Sequence, residues 1–549
     1  MGACHGCCNN GANGTGSLSL DTFRMEKLAE EEVIVSASTI TEFAKRLWPV
    51  LSKLAEGIVV NEVIPRVNKT LPGAFNISLR SFTIGQKPPS FGQMRIIETK
   101  KVMQSRSDHS DRLRTVLPFL WDSGQEISAV VAGFHVGVAN IKIKAEILAD
   151  WGPIMDSYPV MAGVGITMPD PPTIDFNLTG VASIAELPPI RNAIFRAIDG
   201  AISSNFVLPN RFGLPAGRER GVKPWVVTGP PPIGLLRVKV ISASNLPNED
   251  MSGQSDPFVE VRVGYLGKTY KTKVVEDAAN PVWNEETMAF PVYTLFQKVH
   301  CFITDSDFWT PNDAIGGLKD CYIYDIIQDT AAQDYHLYKK DGTRLEDSRI
   351  KLAFEWKELA PASVATMKSL KTLKADIGSF PVVLSVLIDK VIGKSNFLQA
   401  GFTVKCQIPM AGDEIKEFES SYARKEDGYT GQFIYKRVLK GLTDKKIPVA
   451  QQAEITGLSE TEIANLLKGG FVTTTPEFDI GSQNHVMMTV EEMQTKKMKI
   501  SVVQDGSVKD EMEVSISEFV AKESDEAPRP LMMKGGEQIF CKLTMHAVQ

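Results

Sequence analysis

Acidic side chains form two clusters near the middle of this chain of 549 residues. The first cluster is Asp250 and Asp256, and the second is Asp305, Asp307 and Asp313. The segments between the clusters alternate apolar and polar residues, as strands with one buried face do, so both clusters should lie in loops at strand ends. Aspartates also favour loops for local reasons, because they hydrogen-bond to their own backbone. That alternative predicts scattered acids rather than two clusters.

Five carboxylates at one rim would repel one another unless a multivalent cation held them, and an all-oxygen ligand set suits Ca²⁺ better than Zn²⁺. The sequence therefore predicts a calcium site formed by the five clustered aspartates.

Large apolar residues stand directly beside these ligands. Met251 follows Asp250, and Phe308 and Trp309 follow Asp307. At a solvated loop tip these side chains have no core to enter, but burial in a membrane interface would stabilise them, and Trp favours that zone. Bound calcium would reverse the local potential, so that lipid phosphates can complete the coordination. We therefore predict that Met251, Phe308 and Trp309 insert into membranes.

Five short motifs around the acidic clusters occur in the order and spacing of a C2 domain. They are Asn245-Leu246-Pro247, Ser255-Asp256-Pro257-Phe258-Val259, Asn280-Pro281-Val282-Trp283-Asn284-Glu285, Asp305-Ser306-Asp307 and Asp313-Ala314-Ile315-Gly316. The region resembles a C2 domain, which implies an all-β sandwich over residues 234–358 with the five aspartates as its calcium ligands. Lys268, Lys271 and Lys273 resemble the basic strand that some C2 domains use for phosphoinositides and other anionic lipids. The alternative for these lysines is a solvated sheet face.

Composition places the chain among soluble globular proteins, with 43% hydrophobic and 23% charged residues. The length fits three or four domains. The net charge of -6 gives no indication of a nucleic-acid partner, and no apolar run is long enough to span a bilayer. Cys301, Cys321, Cys406 and Cys541 are scattered singly without a secretory signal, which predicts a reducing, cytosolic setting.

Residues 1–37 begin with a stretch rich in Gly, Asn and Cys that has no apolar periodicity, so we predict that this segment is disordered and acylated. Its start resembles a doubly acylated terminus, although Gly6 stands where the myristoylation pattern has Ser or Thr. A metal-binding Cys/His tract and a tail without function are the alternatives. The predicted myristate and palmitate acceptors are Gly2, Cys4, Cys7 and Cys8.

Residues 38–217 predict an α+β domain. Apolar residues recur at helical spacing from Ile40 to Ile58, after a possible capping box of Thr39 and Glu42, and the segment ends before Pro72. Alternating strands follow, and a second amphipathic helix is predicted over Ile190–Phe206.

Four motifs in this domain give a second resemblance. They are Leu47-Trp48-Pro49, Ser81-Phe82-Thr83-Ile84-Gly85-Gln86-Lys87-Pro88-Pro89, Asn177-Leu178-Thr179-Gly180 and Ser204-Asn205-Phe206-Val207-Leu208-Pro209-Asn210-Arg211. They resemble the SMP domain of extended synaptotagmins and tricalbins, in the tubular lipid-binding (TULIP) superfamily. The resemblance implies a curved sheet wrapped on a long helix, a groove for a diacyl glycerolipid and a homodimer formed through the SMP domain.

Periodicity alone does not distinguish such a groove from a closed core, and it assigns no groove residues. A supporting cue is the set of glycines in or beside strand-like stretches, since glycine permits curvature or close backbone approach. These glycines are Gly133, Gly137, Gly163, Gly165 and Gly180.

Residues 381–549 resemble a second, divergent C2 domain, with an insertion at about 411–470. Linkers are predicted at residues 218–233 and 359–380. The first loop of this domain, Lys390–Ala400, contains no acid and has only Asp389 at its edge. The third loop has Asp505, Asp510 and Glu511 at a spacing unlike that of a C2 domain, so we predict no calcium site there.

The favoured hypothesis is a calcium-regulated membrane tether that transfers glycerolipid between apposed membranes. Its partners would be anionic phospholipid membranes, and its place would be the cytoplasmic side of membranes, with contact sites between endoplasmic reticulum and plasma membrane as one candidate. A docking or scaffold protein that moves no lipid is the second hypothesis. A phospholipase or kinase is the third, and it is disfavoured because the chain has no nucleophile elbow, His-Glu-x-x-His motif or phosphate loop.

Overall fold

The computed structural model describes most of the chain, in two compact units, Met1–Glu358 and Leu359–Gln549. The predicted acylation sites near the N-terminus lie outside the described residues. The described residues are 32–35, 37–58, 60, 64–65, 68, 77–81, 87–97, 113–122, 126–131, 134–152, 154, 161–180, 195–196, 199–200, 202–216, 227, 229–248, 255–306, 313–362, 369–393, 401–420, 423, 439–456, 459–468, 477–521 and 528–548.

The first unit begins with a domain of one long helix and an antiparallel sheet. Its elements are β1 (Glu32–Val35), α1 (Ala37–Ile58), β2 (Ile77–Ser81), β3 (Ser90–Phe91), β4 (Met94–Ile97), β5 (Leu113–Asp122), β6 (Glu126–Val131), β7 (Phe134–Trp151), β8 (Gly163–Thr167), β9 (Thr173–Gly180) and β10 (Phe212–Pro215). The strand order is β1-β4-β5-β7-β6-β2; β3 pairs with β5, β8 and β9 pair with β7, and β10 pairs with β8. The α+β architecture predicted for this domain is confirmed.

Helix α1 lies against the sheet through one face. Ala44 and Trp48 are buried, and the Trp48 ring lies 5.9 Å from that of Trp121 on β5. The Trp121 indole N–H in turn donates to the carbonyl of Lys87 at 2.9 Å. The helix begins at Ala37 and ends at Ile58, so the predicted cap at Thr39 is wrong: Thr39 already lies inside the helix.

The long strand β7 is the centre of this sheet, because it pairs with four neighbours. Its pairing with β9 shifts register between Ala139 and Lys142, where Asn140 has a φ of 55°. Such bulges bend a strand and increase its twist. Beyond the sheet, residues 195–196, 199–200 and 202–206 are helical, within the predicted second helix.

The exit of this domain is fixed by a buried ion pair. The Arg211 guanidinium lies 2.6 Å from Asp150 at the end of β7, and both side chains are 3% exposed. Arg114 on β5 approaches the same carboxylate at 3.9 Å. Asn210, the residue before Arg211, donates a side-chain hydrogen bond to the carbonyl of Ser203 at 3.0 Å. The final residues of the Leu-Pro-Asn-Arg motif therefore tie the last helical turn to the sheet.

Two of the glycines noted in the sequence allow other backbone segments, β10 and the linker, to approach β8. A side-chain carbon at Gly165 would lie 2.8 Å from the carbonyl of Val227, and one at Gly163 would lie 2.5 Å from that of Leu214. Gly163 also has a φ of +155°, which favours glycine. Val227, inside the predicted linker 218–233, is fully buried. Close backbone approach thus explains both glycines.

The rest of the first unit is an all-β sandwich with one short helix. Its elements are β11 (Gly234–Ser244), β12 (Pro257–Val263), β13 (Tyr270–Lys271), β14 (Val282–Glu286), β15 (Phe290–Val292), β16 (Val299–Asp305), β17 (Ala314–Gly317), α2 (Ile323–Ile326), β18 (Gln333–Tyr338) and β19 (Arg344–Ala362). One layer is β13-β12-β16-β17, and the other is β18-β19-β11 with β14 and β15 on β11. Apolar residues of strict alternation, such as Val259, Val261, Cys301 and Ile303, fill the space between the layers.

The second unit is another antiparallel β-sandwich with added helices. Its elements are α3 (Leu370–Ile377), β20 (Val382–Ile392), β21 (Thr403–Pro409), a 3-10 turn (Ala411–Asp413), β22 (Ile415–Glu419), α4 (Val449–Thr456), α5 (Glu460–Leu467), β23 (Glu477–Met488), α6 (Val490–Thr495), β24 (Lys497–Gln504), β25 (Ser507–Ser515), α7 (Ile516–Ala521), β26 (Arg529–Met532) and β27 (Gln538–Val548). Its layers are β22-β21-β24-β25 and β26-β27-β20-β23. Ser459 and Glu462 form a capping box at the start of α5.

The predicted linker 359–380 and the predicted insertion 411–470 both contain regular structure. Leu359–Ala362, in the predicted linker 359–380, continues β19 and pairs with β27, and Leu370–Ile377 forms α3. In the predicted insertion 411–470, Ile415–Glu419 forms β22 on β21. None of the β22 residues is buried, so this strand has no strong apolar face for the sequence to show.

The four described cysteines, Cys301, Cys321, Cys406 and Cys541, are free thiols inside the two sandwiches. Burial raises the pKa of the Cys301 and Cys406 thiols to about 12 and also raises that of Cys541. These thiols are therefore unreactive packing groups. Across the described ranges, the helices are too short or too polar to cross a membrane.

The buried pair gives a stability prediction. Arg211→Ala removes one partner and leaves the Asp150 carboxylate in a buried site, so the free energy of unfolding should fall by about 3 kcal/mol. Arg46→Ala is the matched control, because Arg46 is 79% exposed in its pair with Glu42 and should contribute less than about 0.5 kcal/mol. Chemical denaturation of both variants measures the difference. Equal losses would contradict the structural role of the Arg211 pair.

Candidate calcium site and neighbouring lysines

The register of β12 against β16 brings two of the predicted ligands together. Pro257 pairs with Asp305, so Asp256 stands beside Asp305 at the strand ends. The Asp256 N–H donates to Asp305 Oδ1 at 2.7 Å, and the Ser306 N–H donates to the Asp256 carbonyl at 3.1 Å. Two carboxylates far apart in the sequence therefore occupy one edge of the sandwich.

Two further aspartates join this edge through the backbone. The Asp305 N–H donates to the carbonyl of Asp313 at 2.8 Å, which closes the base of the loop formed by residues 306–313. The N–H of Asp277 donates to Asp256 Oδ1 at 2.7 Å, from a residue with a φ of 50°. Asp277, which stands apart from both clusters in the sequence, thus supports a ligand residue rather than forming a third cluster.

The three predicted ligands that the structure describes differ in their exposure. Asp305 is 2% exposed, Asp256 is half-buried and Asp313 is exposed. Asp250 and Asp307, with Met251, Phe308 and Trp309, lie outside the described residues. Within the part of the chain that is described, no three acidic, His or Cys side chains meet closely enough to enclose a cation. The assignment of five ligands therefore stays a prediction.

The three lysines of the predicted basic segment are all exposed. Lys271 and Lys273 lie on either side of the buried Thr272, so they share one face. Lys271 Nζ lies 2.6 Å from Glu260 and 5.0 Å from the centre of the Phe258 ring. The Glu260 carboxylate therefore competes with any anionic lipid for the Lys271 ammonium group.

Glu285 supports the same segment from the other side. Its carboxylate accepts a hydrogen bond from the Tyr270 hydroxyl at 2.9 Å and one from the Lys273 N–H at 3.1 Å. From the sequence, Glu260 had no predicted role, and Glu285 was named only as the last residue of a C2 motif. The outward position of Glu260 in an alternating strand was readable, but its pairing with Lys271 depends on the register of β12 and β13.

The second sandwich has a different loop at the equivalent edge. Gln504 pairs with Ser507, so Asp505 and Gly506 form a two-residue hairpin turn between β24 and β25. Both have positive φ, 49° and 73°, as a type I′ turn requires. Asp510 lies further along β25, where its carboxylate accepts from the N–H groups of Glu511 and Gly535, each at 2.7 Å. These two acids are therefore structural residues of a short hairpin.

Comparisons with known proteins agree with this geometry. The C2 domain family model matches residues 234–319. Extended synaptotagmin-3 of Mus musculus is 24% identical over 325 residues, which are 57% of this chain and 34% of that protein. Synaptotagmin-4 of Arabidopsis thaliana is 25% identical over 44% of this chain and 42% of its own length. A solved structure of extended synaptotagmin 2, comprising its SMP domain and two C2 domains, covers 94% of this chain and 99% of its own, with a TM-score of 0.58 and 17% identity.

The chain has an extended-synaptotagmin-like architecture. The match to the extended synaptotagmin 2 structure confirms the predicted fold class, an SMP-type domain followed by two C2 sandwiches. We therefore call the three parts the SMP-type domain, the first C2 domain and the second C2 domain. The aligned part of the chain corresponds to 34% of the length of the mouse relative.

The Lys271–Glu260 pair gives a binding prediction. Glu260→Gln should free Lys271 and strengthen calcium-independent binding to anionic vesicles about fivefold, because a lysine near such a surface contributes about 1 kcal/mol. Sedimentation with phosphatidylserine vesicles in chelator measures this. Glu355→Gln is the control, since Glu355 pairs with Arg237 and Lys357 on β11 and β19 and not with the basic segment. No gain in Glu260→Gln would indicate a solvated face without a lipid role.

Proposed function

We propose that this chain is a calcium-regulated membrane tether that carries glycerolipid between apposed membranes. The observation that supports it best is the set of hydrogen bonds, two of them between backbone groups, that brings Asp256, Asp305 and Asp313 to one edge of the first C2 domain. This edge belongs to a chain whose fold matches a structure with an SMP domain and two C2 domains.

The donor set at this edge fits calcium. The side chains available are carboxylates, and the residues that would hold the ion are Asp250, Asp256, Asp305, Asp307 and Asp313. A bound ion would supply positive charge, which neutralises the acidic rim and attracts lipid phosphates. The chain's own part is to hold the carboxylates at the strand ends and to place Phe308 and Trp309 in the same loop.

The SMP-type domain would provide the lipid-carrying function. Its fold matches the SMP domain of the extended synaptotagmin 2 structure, and a diacyl glycerolipid is the ligand that the SMP resemblance implies. Homodimerisation through this domain is part of the same proposal. We assign no lipid-contacting residues and no catalytic residue.

The second C2 domain would dock without calcium or would act as a spacer. Its two-residue turn at Asp505 and Gly506 replaces the long acidic loop of the first C2 domain. Acyl chains on Gly2 and the nearby cysteines would hold one membrane while the calcium loops bind the other, on the cytoplasmic side. Two attachments are needed, because a single myristate anchors a protein only weakly.

A docking or scaffold protein without lipid transfer is the second candidate. The observation that favours it is the C2 domain match, which by itself requires only membrane binding. Bound lipid in the SMP-type domain distinguishes the two.

The calcium switch gives a paired prediction. Asp305→Asn with Asp307→Asn should abolish calcium-stimulated binding to anionic vesicles, because the ligand charge is lost while side-chain size is kept. Phe308→Ala with Trp309→Ala should weaken vesicle binding about a hundredfold or more but leave calcium affinity unchanged, since each of the two buried aromatics contributes about 1.5–3 kcal/mol. Vesicle sedimentation and calorimetric calcium titration separate the two effects. Undiminished calcium-stimulated binding in the first variant would rule out this site as the switch.

The lipid proposal predicts a bound ligand. Native mass spectrometry of the purified chain should show the protein with one or more diacyl glycerolipids, and denaturing spectra should show any acyl chains on the N-terminal segment. Transfer of labelled glycerolipid between two vesicle populations then tests carriage. A chain that binds vesicles with calcium but holds no extractable lipid would favour the scaffold candidate.

A further inference from the structure

The SMP-type domain and the first C2 domain are in direct contact within the first unit. Phe296 of the first C2 domain is 3% exposed, and it packs against Val116, Leu148 and Leu208 of the SMP-type domain. Tyr265 of the first C2 domain donates a hydrogen bond to Asp199 at 3.1 Å. These apolar and polar contacts dock one face of the sandwich on the end of the SMP-type domain.

A charged cluster lies beside the Phe296 contact. Asp170, in the turn after β8, accepts from His300 Nε2 at 3.0 Å and from Lys298 Nζ at 3.2 Å. Lys298 also lies 3.1 Å from Asp320, and its ammonium group sits 4.9 Å from the centre of the Tyr322 ring. Lys298, His300, Asp320 and Tyr322 all belong to the first C2 domain.

Glu146 on β7 completes this cluster from the SMP-type domain. The Tyr322 hydroxyl donates to its carboxylate at 3.5 Å. The charged and titratable groups that face Glu146 are Lys298, Tyr322 and Asp320 from the first C2 domain and Asp170 from its own domain. Burial raises the pKa of Glu146 to about 7, and the charges of Asp320 and Asp170 add to that rise, while Lys298 and the Tyr322 hydrogen bond oppose it.

We propose that this contact is a proton-sensitive latch, in which Glu146 takes up a proton as the first C2 domain docks on the SMP-type domain. The latch tightens when the surrounding solution is acidified and loosens as the pH rises. It changes the orientation of the first C2 domain relative to the SMP-type domain, and it requires neither bound calcium nor bound lipid.

The direction follows from proton linkage. When the domains separate, Glu146 returns to water and to its ordinary pKa of 4.5, whereas docking raises it to about 7. The stabilisation of docking by the Glu146 proton is fully present below pH 4.5, and it is lost as the pH rises through about 7. Between pH 7.2 and pH 6.2 the docking equilibrium should therefore shift about fourfold toward the docked form.

Asp170, the second acid that the SMP-type domain contributes to the cluster, does not reverse this direction near neutral pH. Burial acts to raise the pKa of Asp170, but the hydrogen bond from His300 and the charge of Lys298 outweigh it and hold the pKa below 3.8. The stabilisation from Asp170 is therefore lost only in strongly acidic solution.

The test measures docking in the full chain. Dyes on noncanonical amino acids at the exposed positions Asp122 and Glu346 report the distance between the two domains by energy transfer, in chelator, at pH 7.2 and pH 6.2. The docked population should rise about fourfold relative to the open one on acidification. Glu146→Gln should be mostly docked at both pH values and should lose more than half of the response. Glu42→Gln, on the exposed face of α1, is the matched control and should respond like the parent.

Phe296→Ala brings the equilibrium into range if the parent is fully docked at both pH values. This variant should be more open than the parent and should retain the pH response, and circular dichroism checks that it remains folded. Two results would overturn the latch: a pH response absent from both the parent and Phe296→Ala, or a response in Glu146→Gln at least half that of the parent.

Discussion

The pairing of β12 with β16 is the constraint on which the candidate site depends. Antiparallel pairing of Pro257 with Asp305 leaves Asp256 and Asp305 at the same edge, where each aspartate holds the backbone of another loop. A shift of one residue would turn Asp305 to the opposite face of its strand and would move Val259 and Val261 out of the core. The same apolar packing that stabilises the sandwich therefore fixes the acidic edge.

Charge at the surface of the first C2 domain is used in two different ways. On the basic segment, Lys271 is partnered by Glu260, so its attraction for anionic lipid is reduced by an acid on the neighbouring strand. On the face that docks on the SMP-type domain, Lys298 is surrounded by Asp170, Asp320 and Tyr322. These interactions hold Lys298 charged: burial acts to lower its pKa, but the surrounding acids and Tyr322 raise it above the ordinary value. Lys271 can therefore bind an anionic ligand from solution, although Glu260 competes for it. Lys298 is held in the contact between the two domains.

The two C2 domains show how one architecture supports different functions. Both bury alternating apolar residues between two antiparallel layers. They differ at the loop between the strands β16 and β17 in the first domain and β24 and β25 in the second. The first has residues 306–313 there, and the second has the turn at Asp505 and Gly506. Because loops tolerate changes in length that strands do not, ligand binding can be lost while the core is kept.

Local sequence patterns and motifs were enough to predict the class of each domain. Period-two alternation indicated strands of the first sandwich, such as Phe258–Val263, because one face of the strand enters a core. Local chemistry also set the capping box at Ser459, which needs only residues three positions apart. The capping box predicted at Thr39 is wrong, because the helix already begins at Ala37. Strand β22 was not predicted, because it buries no residue.

Which residues come into contact could not be predicted from local patterns. The contact of Lys271 with Glu260 and that of Arg211 with Asp150 depend on strand register and on chain segments distant in the sequence. Glu146 gave no signal in the sequence, since it is an ordinary outward residue of a long strand until Tyr322 and Lys298 cover it. Its altered pKa arises from burial between two domains, and burial of this kind is a property of packing rather than of local sequence.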